Sequence, residues 1–340
     1  MKCLQLTTTA ILLNLGLGLA SYINPIVDSN HPDPGVLRLP TGEYVAVTTS
    51  NLNQEGNLFP ILFSKDMITW EERGHVFKQN EWPTWAFQDF WAPEIHLVDG
   101  RYQVYFSARQ SENNQLAIGV AISQDSVNPF GPYLDLGRPI IQGEPGVIDI
   151  HYTRDPTNNE KPYLVWKTDD NALNQPSKIY IQEVESNGID FVPGSVATII
   201  MEATEPEDVN VVEGPSIFYQ EPYFYLLFSG DVYLSPYYHT VVARSFKIQG
   251  PYERAPSDRT FLHTDLEKFE NGEDCTFVGP GHGSPVISPT NRWVYVYHTW
   301  RYGLVDTYPP GRVMNLDPMN FDENMWPIVG VPSDTEQLDP

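Results

Sequence analysis

The 340-residue chain sets 44 Asp+Glu against 20 Lys+Arg, a formal net charge of −24 at pH 7. A surface of that sign repels polyanions and anionic bilayers, so nucleic acid and membranes are excluded as partners and an uncharged substrate fits best. Acidity also serves solubility alone, and the charge by itself does not separate the two readings.

In chain order, residues 1–20, "MKCLQLTTTAILLNLGLGLA", come first. One Lys near the start, an apolar middle and small residues before Ser21 predict a secretory signal peptide, too short for a membrane anchor. No later run is apolar enough to span a bilayer. The protein is therefore expected to be secreted. The two cysteines are Cys3 and Cys275, and the first lies in the leader, so no intramolecular disulfide is available. Stability must come from a core. The sequence has no Asn-x-Ser/Thr acceptor for N-glycosylation.

Beyond the leader, short aromatic and β-branched runs recur: "GEYVAVTTS" (42–50), "GRYQVYFSA" (100–108), "KPYLVWKT" (161–168), "EPYFYLLFS" (221–229) and "RWVYVYHTW" (292–300). These are strand signals. Aligning Tyr44, Tyr102, Tyr163, Tyr223 and Trp293 gives spacings of 58, 61, 60 and 70 residues. Long helical periodicity is missing, while 30 Pro and 24 Gly punctuate the whole chain. Five matched multi-strand units predict a single all-β domain over 21–340, a five-bladed β-propeller. A β-sandwich would also have many short strands but would not account for the repeat.

Ahead of each aromatic run lies a second segment with a polar residue beside Pro or Gly. They are "HPDPGVLRL" (31–39), "WAPEIHLV" (91–98), "GVIDIHYT" (146–153), "EGPSIFY" (213–219) and "GHGSPVI" (281–287). Their ionisable members, Asp33, Glu94, Asp149, Glu213 and His282, are expected to line one end of a central channel. Carboxylates crowded there have their pKa values pushed apart, which suits acid–base hydrolysis. Asp149, between Ile148 and Ile150, is expected to point from a strand into a polar pocket by simple alternation. "PDP" alone would be an ordinary turn.

These segments resemble glycoside hydrolase family 43 over essentially the whole chain after the leader. The resemblance implies an inverting glycosidase: Asp33 in "PDP" as general base, Glu213 in "EGP" as general acid, and Asp149 as the group that orients the acid. Where the family often has Pro after that aspartate, this chain has Ile150. "WAPE" matches a structural motif, so Glu94 stays outside the catalytic set. "GHGS" resembles the segment whose His282 lies near the pocket floor, beside a calcium or a water. Calcium prefers oxygen, so any metal link of His282 would run through water. Arg312, in "GRVMNLDPMNFDENMWPIV", is implied to contact the sugar. Phe90 and Trp91 are candidate sugar platforms or blade packing, and the loop 78–91 a candidate subsite wall.

Inversion calls for the two carboxyls to stand about 6.5–9.5 Å apart. The chemistry requires no cofactor, and a structural calcium is the one metal considered. The resemblance implies arabinan, arabinoxylan or xylo-oligosaccharide substrates and α-L-arabinofuranosidase activity first, with β-xylosidase and endo-1,5-α-L-arabinanase as alternatives. A non-catalytic sugar-binding propeller is the alternative of a different class, and the protein is expected to be a monomer.

Overall fold

The computed structural model describes residues 21–49, 56–256, 261–273 and 275–340; the signal-peptide reading of 1–20 lies outside them. The five repeat units are five sheets. The first has strands Gly35–Arg38, Tyr44–Val47, Leu58–Ser64 and Trp70–Phe77. The second has Ala86–Val98, Arg101–Gln110, Leu116–Ser123 and Tyr133–Asp135. The third has Val147–Asp155, Lys161–Thr168, Lys178–Glu183 and Thr198–Glu202. The fourth has Val212–Gln220, Tyr223–Gly230, His239–Ser245 and Glu253–Arg254. The fifth has Phe277–Ile287, Trp293–Arg301 and Val313–Pro318. Strands run antiparallel in sequence order within every sheet. The aligned aromatics all fall on second strands.

The first strand of each sheet touches that of the next, and the fifth touches the first, so the sheets close into a ring. The chain is a five-bladed β-propeller. Beside the three strands of the fifth blade, the N-terminal segment supplies an edge: Val27 bridges Met314, and Ile26 and Val27 donate their N–H groups to the Met314 carbonyl. Ser21–Tyr22 also pairs with Gln337–Leu338. Pairing distant chain segments in this way covers a strand edge that would otherwise be left open.

The apolar cores lie between blades. On Tyr44–Val47, Val45 and Val47 join a cluster shared with the second blade, while Tyr44 and Ala46 join one shared with the fifth. A strand of period two covered on both faces reads as a continuous apolar run, which is why the repeats were visible in the sequence. On Lys161–Thr168 the same division sends Leu164 and Trp166 toward the second blade and Tyr163 and Val165 toward the fourth.

Candidate active site

The first strands bend where they reach one end of the channel. Register shifts interrupt the pairing between Trp91 and Glu94, Ile148 and His151, Glu213 and Ser216, and on both sides of Gly281. Left-handed residues sit at those points: Ala92 (φ 44°), Asp149 (φ 57°), Gly214 (φ 56°) and His282 (φ 43°), with Asp33 (φ 54°) just ahead of the first strand. A bulge adds a residue and re-aims a side chain. Simple alternation therefore does not describe Asp149, because Ile148 and Asp149 both face the cavity while Ile150 enters the core. At Gly214 a Cβ would stand 2.7 Å from the His282 ring, so the close approach of two blades requires glycine there.

A cavity of about 470 Å³ opens at this end, lined by Asp33, Trp91, Asp149, Glu213, His282 and Arg312. That size suits a small ligand. Asp33 is buried. Thr49 Oγ1 donates to its Oδ2 at 2.6 Å, and Arg312 Nη1 donates to its Oδ1 at 2.8 Å. Burial works to raise the Asp33 pKa, but Arg312, His282 and His298 outweigh it and hold the carboxyl well below the usual range. His298 is pushed down to about 4 by burial and by Arg312. Its Nδ1 accepts the Asp33 backbone N–H at 3.2 Å.

Asp149 Oδ2 accepts the Gly214 backbone N–H at 2.9 Å, which ties it to the turn beside Glu213. Burial, reinforced by Glu213, pushes Asp149 up to about 6 against the pull of His282 and Lys167. Both oxygens of Glu213 are met by donors: Oε2 by Lys167 Nζ at 3.1 Å and Oε1 by Tyr238 Oη at 2.8 Å. Neither donor was among the residues singled out from sequence. For Lys167 a signal existed, because a lysine continuing the apolar run "YLVW" has no place in a core without a carboxylate partner.

The raised Asp149 value has a consequence for stability. The folded state keeps a proton that the unfolded chain releases near pH 4, so this group erodes stability as pH rises toward 6, and the loss is complete above that. Asp149→Asn stays neutral and can still accept from Gly214. It is expected to gain on the order of 2–3 kcal/mol over the wild type at pH 7 relative to pH 4, read by urea unfolding at both. An equal difference at the two pH values would count against a proton held on Asp149.

Three sequence expectations are corrected. Phe90 does not line the cavity: it is buried in the core between the first two blades, 6.2 Å from the Phe59 ring and 5.2 Å from Trp82. Adjacent residues on a strand face opposite ways, so only Trp91 of the pair reaches the cavity. Moreover, 86–91 belongs to a strand rather than a loop. Glu94 lies away from the other four ionisable positions. Three residues past Trp91 is about 10 Å along a strand, and Glu94 lines a separate cavity of about 360 Å³ with Arg38, His151 and Ser284.

Glu94, His96 and His151 are the group among the described residues whose ligand atoms could meet around a metal, all within 4.8 Å. Hydrogen bonds already account for them. Glu94 Oε2 lies 2.8 Å from His96 Nε2 and 2.9 Å from His151 Nδ1. The Ile217 N–H donates to His151 Nε2 at 3.0 Å, so Nδ1 carries the proton and has no lone pair for a cation. Burial raises the Glu94 pKa, yet His151 and His96 bring it down to about 2. The trio joins the second, third and fourth blades. Burial lowers the His282 pKa, but Asp33, Asp149 and Glu213 reverse that and raise it above the ordinary value.

Proteins of similar sequence include a β-xylosidase, an α-L-arabinofuranosidase and an endo-arabinanase. The chain is 25% identical over 353 residues to a β-xylosidase of Formosa agariphila, covering 94% of this chain and 52% of that protein. It is 23% identical over 328 residues to a non-reducing end α-L-arabinofuranosidase of Bacteroides ovatus, covering 93% and 55%. The chain thus spans about half the length of these curated relatives. Among solved structures, a thermostable family-43 glycoside hydrolase superposes with a TM-score of 0.80 at 26% identity, over 94% of this chain and 99% of that one. The sequence profile of Glycosyl hydrolases family 43 runs from residue 22 to residue 327, the full circuit of blades, and the chain belongs to that family.

Proposed function

We propose that the protein is a secreted, monomeric, inverting glycosidase that cleaves arabinose- or xylose-containing cell-wall polysaccharide, with α-L-arabinofuranosidase as the leading activity. The observation that carries this reading is the convergence of Asp33, Asp149 and Glu213, from three different blades, on one cavity. Three acids around one hollow suit hydrolysis better than sugar binding alone, which needs no proton donor.

In this reading a water attacks the anomeric carbon from the side of Asp33, which takes the water's proton. The bond to the leaving oxygen breaks as Glu213 supplies that oxygen with a proton, and the sugar leaves with inverted configuration. Arg312 and Thr49 keep Asp33 ionised and fixed in orientation. Asp149 acts on Glu213 through the Gly214 N–H and by its own charge. Trp91, on the cavity rim, offers a flat apolar face to a sugar ring. No step is assigned to a metal.

Aryl α-L-arabinofuranoside and aryl β-D-xyloside, assayed side by side and followed by linear arabinan, test the reading. Faster release from the arabinofuranoside, with the opposite anomer appearing first by proton NMR, is the expected result. Faster xyloside hydrolysis moves the assignment to β-xylosidase, and attack on arabinan alone moves it to endo-arabinanase. Inactivity on all three overturns it.

A further inference from the structure

Lys167 is a buried cation that the mechanism above leaves unused. Its side chain is 1% exposed, yet it reaches the cavity wall. It continues the face of Lys161–Thr168 that Tyr163 and Val165 turn toward the fourth blade. That geometry carries Nζ to 3.1 Å from Glu213 Oε2 and 3.9 Å from Asp169 Oδ1.

An ammonium has three donors and no lone pair. A proton on Glu213 Oε2 directed at Nζ would meet another donor. Tyr238, on Oε1, is different: a phenol can turn its proton away and accept instead. Its hydroxyl also interacts with Ser229, so Glu213 is not its sole partner. The two donors of Glu213 are therefore not equivalent.

We propose that Lys167, held from the other side by Asp169, is a positioning residue that confines the acidic proton of Glu213 to Oε1 and sets the upper pH limit of turnover. This rests on the reading of Glu213 as the acid. A cation on Oε2 favours the carboxylate, while Asp169 draws off part of that charge. The other ionisable groups that act here are Asp149 on the third blade, Tyr238 on the fourth and His282 on the fifth, with Arg109 and Asp170 acting on Asp169. The Lys167 ammonium is itself secure: burial lowers its pKa, but Glu213, Asp149 and Asp169 raise it above the usual value.

The test is a carboxyl titration that needs no turnover. Full-length protein carrying ¹³C-carboxyl glutamate is titrated by NMR, with the Glu213 signal identified by its loss in Glu213→Gln. Lys167→Met is expected to raise the Glu213 midpoint by about 1–2 units, and Asp169→Asn to lower it. Lys167→Arg, which keeps the charge, should stay near the wild type. The alkaline limb of kcat/KM should move in the same directions. A merely structural role would not produce opposite shifts from neighbouring residues. Should Lys167→Met fail to fold, Asp169→Asn carries the test, because an unmoved or raised midpoint there overturns the proposal. So do shifts of one sign in both variants. A wild type inactive on every glycoside, with the titration behaving as expected, would instead remove the proposed function.

Discussion

Glu213→Gln is expected to lower kcat on substrates with poor leaving groups by about 10²–10⁴-fold, the usual worth of a positioned acid. An aryl glycoside with an acidic phenol needs little help in departing and should lose much less. Binding should hardly change, because Gln keeps the size of Glu213. Its amide oxygen can face Lys167 while its NH₂ faces the Tyr238 oxygen, so the two groups met by Glu213 in the structure keep partners. Kinetics on the paired substrates, with calorimetric binding of the product sugar, provide the readout. If the variant still hydrolysed the poor-leaving-group substrate at wild-type rate, Glu213 would not be the acid. Retained binding with no turnover in the wild type itself would instead favour a sugar-binding propeller.

Asp33→Asn carries the second large effect, on two separate quantities. Turnover is expected to fall by about 10²–10⁴-fold on all substrates, good leaving groups included, since every one of them needs the attacking water deprotonated. That contrast with Glu213→Gln separates base from acid. Stability should also drop, because the guanidinium of Arg312, buried against Asp33, loses its anion. Breaking a buried ion pair from one side costs about 3–5 kcal/mol. The Asp33 pKa is held below its unfolded value, so its stabilisation is present above about pH 4 and is lost as pH falls through the folded value. The gap between wild type and variant should accordingly be widest at pH 7 and begin to shrink only below about pH 4, by about 1 kcal/mol per pH unit in urea unfolding. A gap independent of pH would argue that the loss is one of packing. Asp33→Asn with Arg312→Met should recover part of the stability and none of the turnover.

Arg312 itself shows how far sequence reading reached. Its place in "GRVMNLDP" pointed to the cavity, and it lines it. What the sequence did not reveal is that its Nη1 first serves Asp33, a residue 279 positions earlier in the chain. The same holds for Glu213, whose place on a first strand was legible but whose donors Lys167 and Tyr238 were not. Phe90 and Trp91 make the complementary case. Both are aromatic and both stand in the right segment, and only the direction of each side chain separates core from cavity.

The repeat of aromatic strands every 58–70 residues, with a polar residue ahead of each, was enough to specify five sheets and to place Asp33, Asp149, Glu213 and His282 on or beside first strands. Those features are local: strand composition, period and turn residues act over a few neighbours in the chain. The tertiary structure alone decided which charges meet, because the contacts that hold Asp33 ionised and that set Asp149 beside Glu213, Lys167 and His282 cross from blade to blade. It also decided which way each first strand bends at the channel mouth. A bulge depends on how two strands pair rather than on either strand's sequence, and one added residue reverses the side chains that follow it.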